Sequence, residues 1–413
     1  MSENTADWKS SIRDSQKYAS DSRQIILFLF SIQFLGFFFW GGISAIFPFI
    51  IEKIGVPTSQ ITTDWSIVYT FALFIGGFFT RVPMGMLSDM LSRKQGLLLG
   101  TGISFFSILG IMISNNIVFL GILLALLRTG THIFPLTSRS YSNETNPKKQ
   151  RRLNGFVLIG TDIASFLGPI MLGFFLDISL DTLILFSCSM LLLSSFVLNF
   201  VTPKKLSRKK LSSGKIFTQA ISELSKIWKI IGIFFVLGFV NGTFRTILAI
   251  FPYLTLNMNY FQTELAIGLI QVTAIIFILI SGELNKKFGL FVLITSGIIF
   301  IFIGALIIIL GGSNIFTFLL GGMILNGGLQ ININSLVTSV TLTASKETAA
   351  TCFGMASGMF FLGASFIPIF IGFLFNINPF YPFIFILVVS IVILYPVLLV
   401  KKEYESHENF VGA

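Results

Sequence analysis

The sequence predicts an all-α membrane protein of twelve transmembrane helices in two six-helix repeats, and three observations support this fold class. The composition is 54% hydrophobic and only 11% charged, with a mean hydropathy of +0.87, which is not typical of any water-soluble domain of 413 residues. Twelve apolar runs have about the 20 residues that a helix needs to cross a bilayer. Short motifs of the first half also return in the second half.

The apolar runs are expected to be helices, because backbone polar groups inside lipid must be hydrogen-bonded within their own segment. Strands of a membrane barrel would alternate in polarity, and these runs do not. The predicted spans lie near residues 25–50, 63–86, 96–114, 117–138, 154–176, 182–201, 230–254, 265–283, 290–311, 315–339, 350–374 and 380–400.

Basic residues account for the net charge of +10 and crowd into alternate loops, while the opposite loops hold almost none except Lys53. This positive-inside distribution predicts a multi-pass protein of the cell membrane with both termini in the cytoplasm. The expected contacts are anionic inner-leaflet headgroups and not nucleic acid. The basic loop residues are Lys9, Arg13, Lys17, Arg23, Arg93, Lys94, Lys148, Lys149, Arg151, Arg152, those from Lys204 to Lys229, Lys286, Lys287, Lys346, Lys401 and Lys402.

An internal repeat divides the chain at a spacing of about 200 residues. Residues 45–49 (AIFPF) return as 249–253 (AIFPY), and the Ala-Ser-Phe of 164–166 returns at 364–366. The repeat predicts parallel halves. The predicted units are a cytoplasmic tail (1–23), an N-terminal six-helix bundle (24–202), a basic linker (203–229), a C-terminal six-helix bundle (230–402) and a second tail (403–413).

The linker contains apolar residues at helical spacing among lysines. This pattern predicts an amphipathic helix that lies on the inner leaflet. Its apolar positions are Ile216, Phe217, Ala220, Ile221, Leu224, Ile227 and Trp228.

A charged loop follows the second span at residues 81–94 (RVPMGMLSDMLSRK). Gly85 allows two helices to approach closely, and the charged residues fix the point where the chain leaves the bilayer. The loop resembles the signature loop of the major facilitator superfamily, G-x-L-x-D-x-x-G-R-K/R, with Ser92 where that family often has glycine. The matching residues are Gly85, Leu87, Asp89, Arg93 and Lys94.

The resemblance extends over about residues 23–402 and implies a monomeric secondary transporter whose two bundles rock about a midplane site. It implies a cytoplasmic gate of Asp89 and its neighbours, with Asp89 held at the positive N-terminal end of span 11. The gate candidates are Gly85, Asp89, Arg93, Lys94 and Arg81; Arg81 could instead contact an anion or be a structural arginine that reaches the interface. The phrase Arg-x-Pro-x-Gly at Arg81 also resembles nitrate/nitrite porters, but their second arginine would fall near Ile278, so nitrate is not predicted.

Polar residues inside spans point to function, because a charge buried in the membrane is expensive. Arg128 in span 4 resembles the superfamily's span 4 arginine, and Arg245 in span 7 could line the same cavity or pair with an acid such as Glu264. The proton-coupling candidates are Asp162, which could also be a fixed counter-ion of Arg128 or Arg81, and His132, which could instead be neutral and hydrogen-bonded. The substrate-binding candidates are Arg128, Arg245, Asn241, Asn326, Gln330, Asn334, Gln33 and Trp40.

These residues cluster in spans 1, 4, 7 and 10, which line the substrate cavity in the superfamily; interhelical hydrogen bonding is the alternative role for span 10. The excess of arginine over acid favours a proton-coupled transporter of a small organic or inorganic anion. The alternatives are an exporter of lipophilic cations, suggested by the 48 phenylalanines, and a non-transporting sensor. No enzyme, cofactor or metal site is expected, because catalytic and metal-ligand patterns are absent. The lone Cys188 and Cys352 are expected to be buried free thiols.

Overall fold

The computed structural model consists of helices joined by short loops, with no strand among the residues that it describes. This agrees with the requirement that backbone groups in lipid be hydrogen-bonded within one segment. Both cysteines are free and buried, as predicted. The described residues are Leu27, 30–52, 54–90, 93–144, 147–179, 181–183, 185–190, 213–345 and 347–406.

The N-terminal part, residues 30–190, includes one π-helical stretch, Ala72–Phe79, between α2 and α3. Its α-helices are α1 (Phe30–Glu52), α2 (Thr58–Phe71), α3 (Arg81–Met90), α4 (Arg93–Ile113), α5 (Ile117–Glu144), α6 (Pro147–Ile178) and α7 (Asp181–Met190).

The C-terminal part, residues 228–406, follows a short linker helix, α8 (Ser213–Leu224). Its helices are α9 (Trp228–Leu254), α10 (Tyr260–Phe288), α11 (Leu290–Gly311), α12 (Ile315–Thr343), α13 (Ala349–Phe366), α14 (Pro368–Ile377) and α15 (Tyr381–Ser406).

Nine helical stretches of the described chain are long and apolar enough to cross a membrane. Three shorter apolar helices, Gln95–Ile111, Ile163–Ile178 and Asp181–Met190, lie where the third, fifth and sixth spans are predicted. The protein is therefore a multi-pass membrane protein, while the count of twelve spans stays a prediction.

Local sequence explains where two of the C-terminal helices begin. Asn314 precedes α12, and its side-chain oxygen accepts hydrogen bonds from the backbone N–H groups of Phe316 at 2.8 Å and Thr317 at 3.4 Å. Pro368 splits the predicted eleventh span into α13 and α14, because proline has no N–H group to continue the helix.

The two parts of the chain meet along two main seams. In one seam α3 and the π-helical stretch pack on α13, and in the other α6 packs on α10. We name the two ends of the molecule the Asp89 side, where α3 ends and α13 begins, and the Glu52 side, where α1 and α9 end. These seams determine which side chains meet at the centre and at each side.

The linker helix α8 docks on the Asp89 side through Ile216, Ala220 and Leu224, which are buried. Its Glu223 accepts hydrogen bonds from the Ser345 backbone at 3.2 Å and from the Thr348 hydroxyl. A second apolar stripe stays exposed and can face a membrane surface; that the helix lies on the inner leaflet stays a prediction. This exposed stripe consists of Phe217 and Ile221, and Trp228 at the start of α9 is exposed as well.

Candidate functional site

Two adjacent glycines in the π-helical stretch let three helices converge at the centre of the molecule. A Cβ atom on Gly76 would lie 2.6 Å from Arg128 Cβ in α5, and one on Gly77 would lie 3.3 Å from Phe361 Cβ in α13. The stretch ends where the Thr80 N–H bonds to the Ile75 carbonyl at 3.1 Å, five residues back. Such π-helical turns are frequent at functional sites.

A central arginine site forms around Phe361. The guanidinium carbon of Arg128 lies 3.9 Å from the centroid of the Trp40 ring and 4.7 Å from that of Phe361. The guanidinium carbon of Arg81 lies 4.4 Å from the same Phe361 centroid, and the His132 ring lies 5.8 Å from it. We define the central arginine site as Trp40, Arg81, Arg128, His132 and Phe361. In this site the two guanidinium groups contact the same Phe361 ring.

The cationic groups of this site are buried and poorly matched by protein acceptors. Arg81, Arg128 and His132 are 4%, 5% and 3% exposed. In the described part of the chain, Arg81 Nε and Nη1 and Arg128 Nε have no hydrogen-bond partner. The Gly76 carbonyl lies near His132, but neither ring nitrogen makes a hydrogen bond of normal geometry to a residue that the structure describes. Cation–π contacts offset only part of the cost of burying these charges, so the site is suited to an anion.

An aromatic stack links this site to the C-terminal part. Trp40 stacks on Tyr69 with centroids 6.4 Å apart, and Tyr69 stacks on Trp65 at 4.7 Å. The Trp65 indole N–H then donates to the Thr246 carbonyl in α9 at 3.2 Å. The stack therefore connects α1 and α2 to α9 beside Arg128.

A second polar group lies across the centre on α9 and α12. Arg245 Nη2 donates to Asn326 Oδ1 at 3.4 Å, and Asn326 Nδ2 donates to the Ile270 carbonyl at 3.1 Å. The charges of Arg245 and Arg128 act on each other. The alternative pairing of Arg245 with Glu264 does not form, because both Glu264 oxygens lack a hydrogen-bond partner among the described residues.

The other predicted substrate residues are more dispersed. Gln33 and Asn241 are buried, and Gln330 is half-buried. Asn334 Nδ2 donates to Ser281 Oγ in α10 at 2.9 Å. This is a hydrogen bond between two helices, the role that the sequence offered as the alternative to substrate binding for span 10. The side chains of Asp162, Arg93 and Lys94 lie outside the described residues.

At the Asp89 side, α3 and α13 are joined by hydrogen bonds to one carboxylate. Asp89 Oδ2 accepts from the Thr351 backbone N–H at 2.9 Å and from the Thr351 hydroxyl at 2.8 Å. A Cβ atom on Gly85 would lie 2.8 Å from the Ala350 carbonyl oxygen. Asp89 thus meets the start of span 11, the partner expected from the sequence; that this contact gates transport stays a proposal.

At the Glu52 side, a carboxylate and two tyrosines join α1 to α9 and α10. The Glu52 carboxylate accepts from the Tyr253 hydroxyl at 3.0 Å and from the Tyr260 hydroxyl at 2.6 Å. Both tyrosine rings also pack against Phe49, with centroids 5.2 and 4.8 Å apart. We name Glu52, Tyr253 and Tyr260 the Glu52 clasp. Sequence reasoning missed it, although an acid at the end of a span was a usable signal.

Replacing Glu52 by glutamine is expected to loosen the Glu52 side, because the two tyrosine hydroxyls lose a charged acceptor. Hydrogen bonds to charged groups contribute about 1.5–3 kcal/mol, so the open population should rise roughly tenfold or more. The measurement is the labelling rate of a cysteine at Ser66, which is 1% exposed, by a membrane-impermeant maleimide. Asp64→Asn, which removes a half-buried acid outside the clasp, is the matched control and should label as slowly as the parent.

Comparison with known proteins identifies the fold. The chain is similar to the human organic anion transporter MFSD10 with a TM-score of 0.74 and 14% identity, over 91% of this chain and 99% of that one. It is similar to a bacterial homologue of the human lysosomal transporter Spinster, with a TM-score of 0.67, 14% identity and coverages of 91% and 96%. A mutant form of the nucleoside transporter NupG gives a TM-score of 0.68, 12% identity and coverages of 91% and 99%. At these identities the likeness shows the fold alone.

Sequence comparison identifies the family. No curated protein sequence is significantly similar to the chain. The sequence profile of the Major Facilitator Superfamily nevertheless matches residues 29–351, which is more than half of the 413 residues. Together with the helical fold and the central site, this match shows that the chain belongs to the Major Facilitator Superfamily and is a non-enzymatic membrane transporter.

Proposed function

We propose that the chain carries a small organic or inorganic anion across the membrane together with protons, by alternating access to the central arginine site. The observation that carries the proposal is a pair of buried guanidinium groups with nitrogen atoms that lack acceptors in the described part of the chain. A bound anion would supply those acceptors and offset the cost of the buried charge.

The chemistry of the site favours a ligand with a carboxylate or phosphate group. Guanidinium groups are planar and donate paired hydrogen bonds to such oxyanions. In this proposal Arg128 and Arg81 bind the anion from the N-terminal part, and Arg245, oriented by Asn326, binds it from the C-terminal part. The remaining substrate candidates, Gln33, Trp40, Asn241, Gln330 and Asn334, would shape the cavity around it. MFSD10 is an organic anion transporter by its description, which agrees with the proposal without carrying it.

The orientation follows from the basic loops, so the Asp89 side would face the cytoplasm. The contact of Asp89 with Thr351 would then be the cytoplasmic gate, in which Gly85, Arg93 and Lys94 also take part. The bundles 24–202 and 230–402 would rock about the central arginine site in a monomer.

An exporter of lipophilic cations is the competing proposal, and the stack of Trp40, Tyr69 and Trp65 is the observation in its favour. Aromatic rings attract organic cations. Here the stack lies directly beside the Arg128 guanidinium, which repels them. The balance of charge at the centre therefore favours an anion.

The deciding experiment is thermal unfolding of the purified protein with a panel of organic anions, inorganic anions, sugars and lipophilic cations. A ligand of the folded state stabilises it by about 2.7 kcal/mol at a concentration of 100 times its Kd. We expect the unfolding temperature to rise with at least one anion and not with the cations. Stabilisation by lipophilic cations alone would overturn the anion proposal.

A further inference from the structure

Glu264 is a fully buried carboxyl group in the seam between α6 and α10. Its side chain lies against Gly173 of α6, where an added Cβ atom would come within 2.7 Å of Glu264 Cγ. The absence of a side chain at position 173 therefore leaves the space that Glu264 occupies. The seam joins the N-terminal and C-terminal parts, so this carboxyl group lies between elements that must separate if the Glu52 side opens.

Neither oxygen of Glu264 has a hydrogen-bond partner in the described part of the chain. An ionised carboxylate without a partner in an apolar environment costs far more free energy than a neutral carboxyl group. The packed seam is therefore compatible with a protonated Glu264 and strongly disfavours its ionised carboxylate.

One neighbouring charge acts in the same direction, whereas the Arg245 cation, which would favour ionisation, is hydrogen-bonded to Asn326. Asp177 on α6 is the charged group that acts on Glu264, and its negative charge opposes ionisation. One turn away on the same face of α10, Tyr260 donates to Glu52 of α1, while α9 contributes Tyr253 and Arg245. The other helices packed on α10, α11 and α12, contain no ionisable side chain.

We propose that Glu264 carries the coupled proton: it stays protonated while α6 and α10 are packed, and it releases the proton to water when the Glu52 side opens. The O–H bond breaks only after water reaches the seam and can solvate the carboxylate. This assignment rests on the proposed proton-coupled transport. It adds Glu264 to Asp162 and His132 as a candidate for the residue that carries the proton. Because the packed state binds one more proton, low pH favours closure of the Glu52 side and high pH favours opening.

The test measures the distance across the seam between spin labels as a function of pH, with no substrate present. The labels replace Ile178 at the end of α6 and Phe261 at the start of α10, which are 58% and 38% exposed, in a chain with Cys188→Ala and Cys352→Ala. We expect a longer distance at high pH, with an open-to-closed ratio that changes by up to about tenfold per pH unit. A distance that does not change with pH in this chain overturns the proposal.

Two variants and one control make the result specific. Glu264→Gln should remain closed at every pH, because the amide is neutral and similar in shape; a pH response like that of the parent overturns the proposal. Asp177→Asn should move the midpoint of opening to lower pH, because the neighbouring negative charge is removed. Asp181→Asn, which changes an exposed acid at the same side, should leave the midpoint where it is, and a shift as large as that of Asp177→Asn overturns the local electrostatic explanation.

The conformational readout separates this inference from the proposed function. A parent-like pH response in Glu264→Gln, with anion binding retained, overturns the proton assignment and leaves the anion site standing. Loss of the pH response in Glu264→Gln, in a protein that binds no anion, supports the proton assignment and overturns the anion site.

Discussion

Replacing Arg128 by alanine is expected to weaken anion binding by about 100-fold or more. Arg128 is the arginine of the central site that contacts both Trp40 and Phe361, so its charge is fixed in position by two rings. Each hydrogen bond from a cation to an anion contributes about 1.5–3 kcal/mol, and each 1.4 kcal/mol is a factor of ten in affinity. The loss of two such bonds gives the expected effect, which isothermal titration with the stabilising anion would measure.

Arg128→Lys separates the charge of the side chain from its shape. Lysine keeps the positive charge but cannot stack a planar group between Trp40 and Phe361 or donate two parallel hydrogen bonds. We therefore expect binding intermediate between the parent and Arg128→Ala. Lys287→Ala, which removes an exposed cation far along α10, is the control for net charge and should bind like the parent. Unchanged affinity in Arg128→Ala would exclude the central arginine site as the binding site.

The sequence predicted part of this site because charges stand out in apolar runs. Arg128 was found as a cation within a span, and His132 follows it at the helical spacing of four residues. Phe361, the ring that both arginines share, carried no comparable signal, because it is one of 48 phenylalanines. Its role depends on the packing of α13 against the π-helical stretch, which is a tertiary property.

Arg81 shows how local backbone geometry limits sequence reasoning. Its position near the charged loop led to a predicted role at the gate or in an anion contact, and its guanidinium lies over Phe361 beside Arg128, a place that the sequence did not indicate. A π-helical turn contains an extra residue and so rotates the face of the helix that follows by about 100°. The turn depends on how closely Gly76 and Gly77 approach two other helices, and the apolar pattern of the span does not encode that approach.

In the sequence, Glu264 was only a distant acid offered as an alternative partner of Arg245. Its burial depends on Gly173 in the opposite part of the chain, so no local pattern predicts it. The same holds for the Glu52 clasp, whose partners are 201 and 208 residues away. The fold class and the family were therefore accessible from composition and one loop, whereas the contacts between the two parts required the structure.

Gly85→Val is expected to abolish transport by preventing closure of the Asp89 side. A Cβ atom at this position would lie 2.8 Å from the Ala350 carbonyl oxygen and 3.1 Å from Thr351 Cα. Both are backbone atoms and cannot move aside as a side chain can, so α3 and α13 must separate. Overpacking costs about 1–3 kcal/mol, and the separation also removes the two hydrogen bonds from Thr351 to Asp89, each worth about 1.5–3 kcal/mol. The closed population should therefore fall by about 100-fold or more.

The native thiol of Cys352 reports this opening directly, because it is fully buried next to Thr351 in the parent protein. With Cys188 replaced by alanine, Gly85→Val should react with a water-soluble maleimide far faster than the parent, while anion uptake into proteoliposomes is lost. Gly102→Val is the matched control, because a Cβ atom on Gly102 would meet no atom within 4 Å. Since the collision at Gly85 lies between the two parts of the chain and not inside one of them, the variant should still fold. A Gly85→Val protein that transports normally with Cys352 protected would mean that α3 and α13 need no close contact for transport.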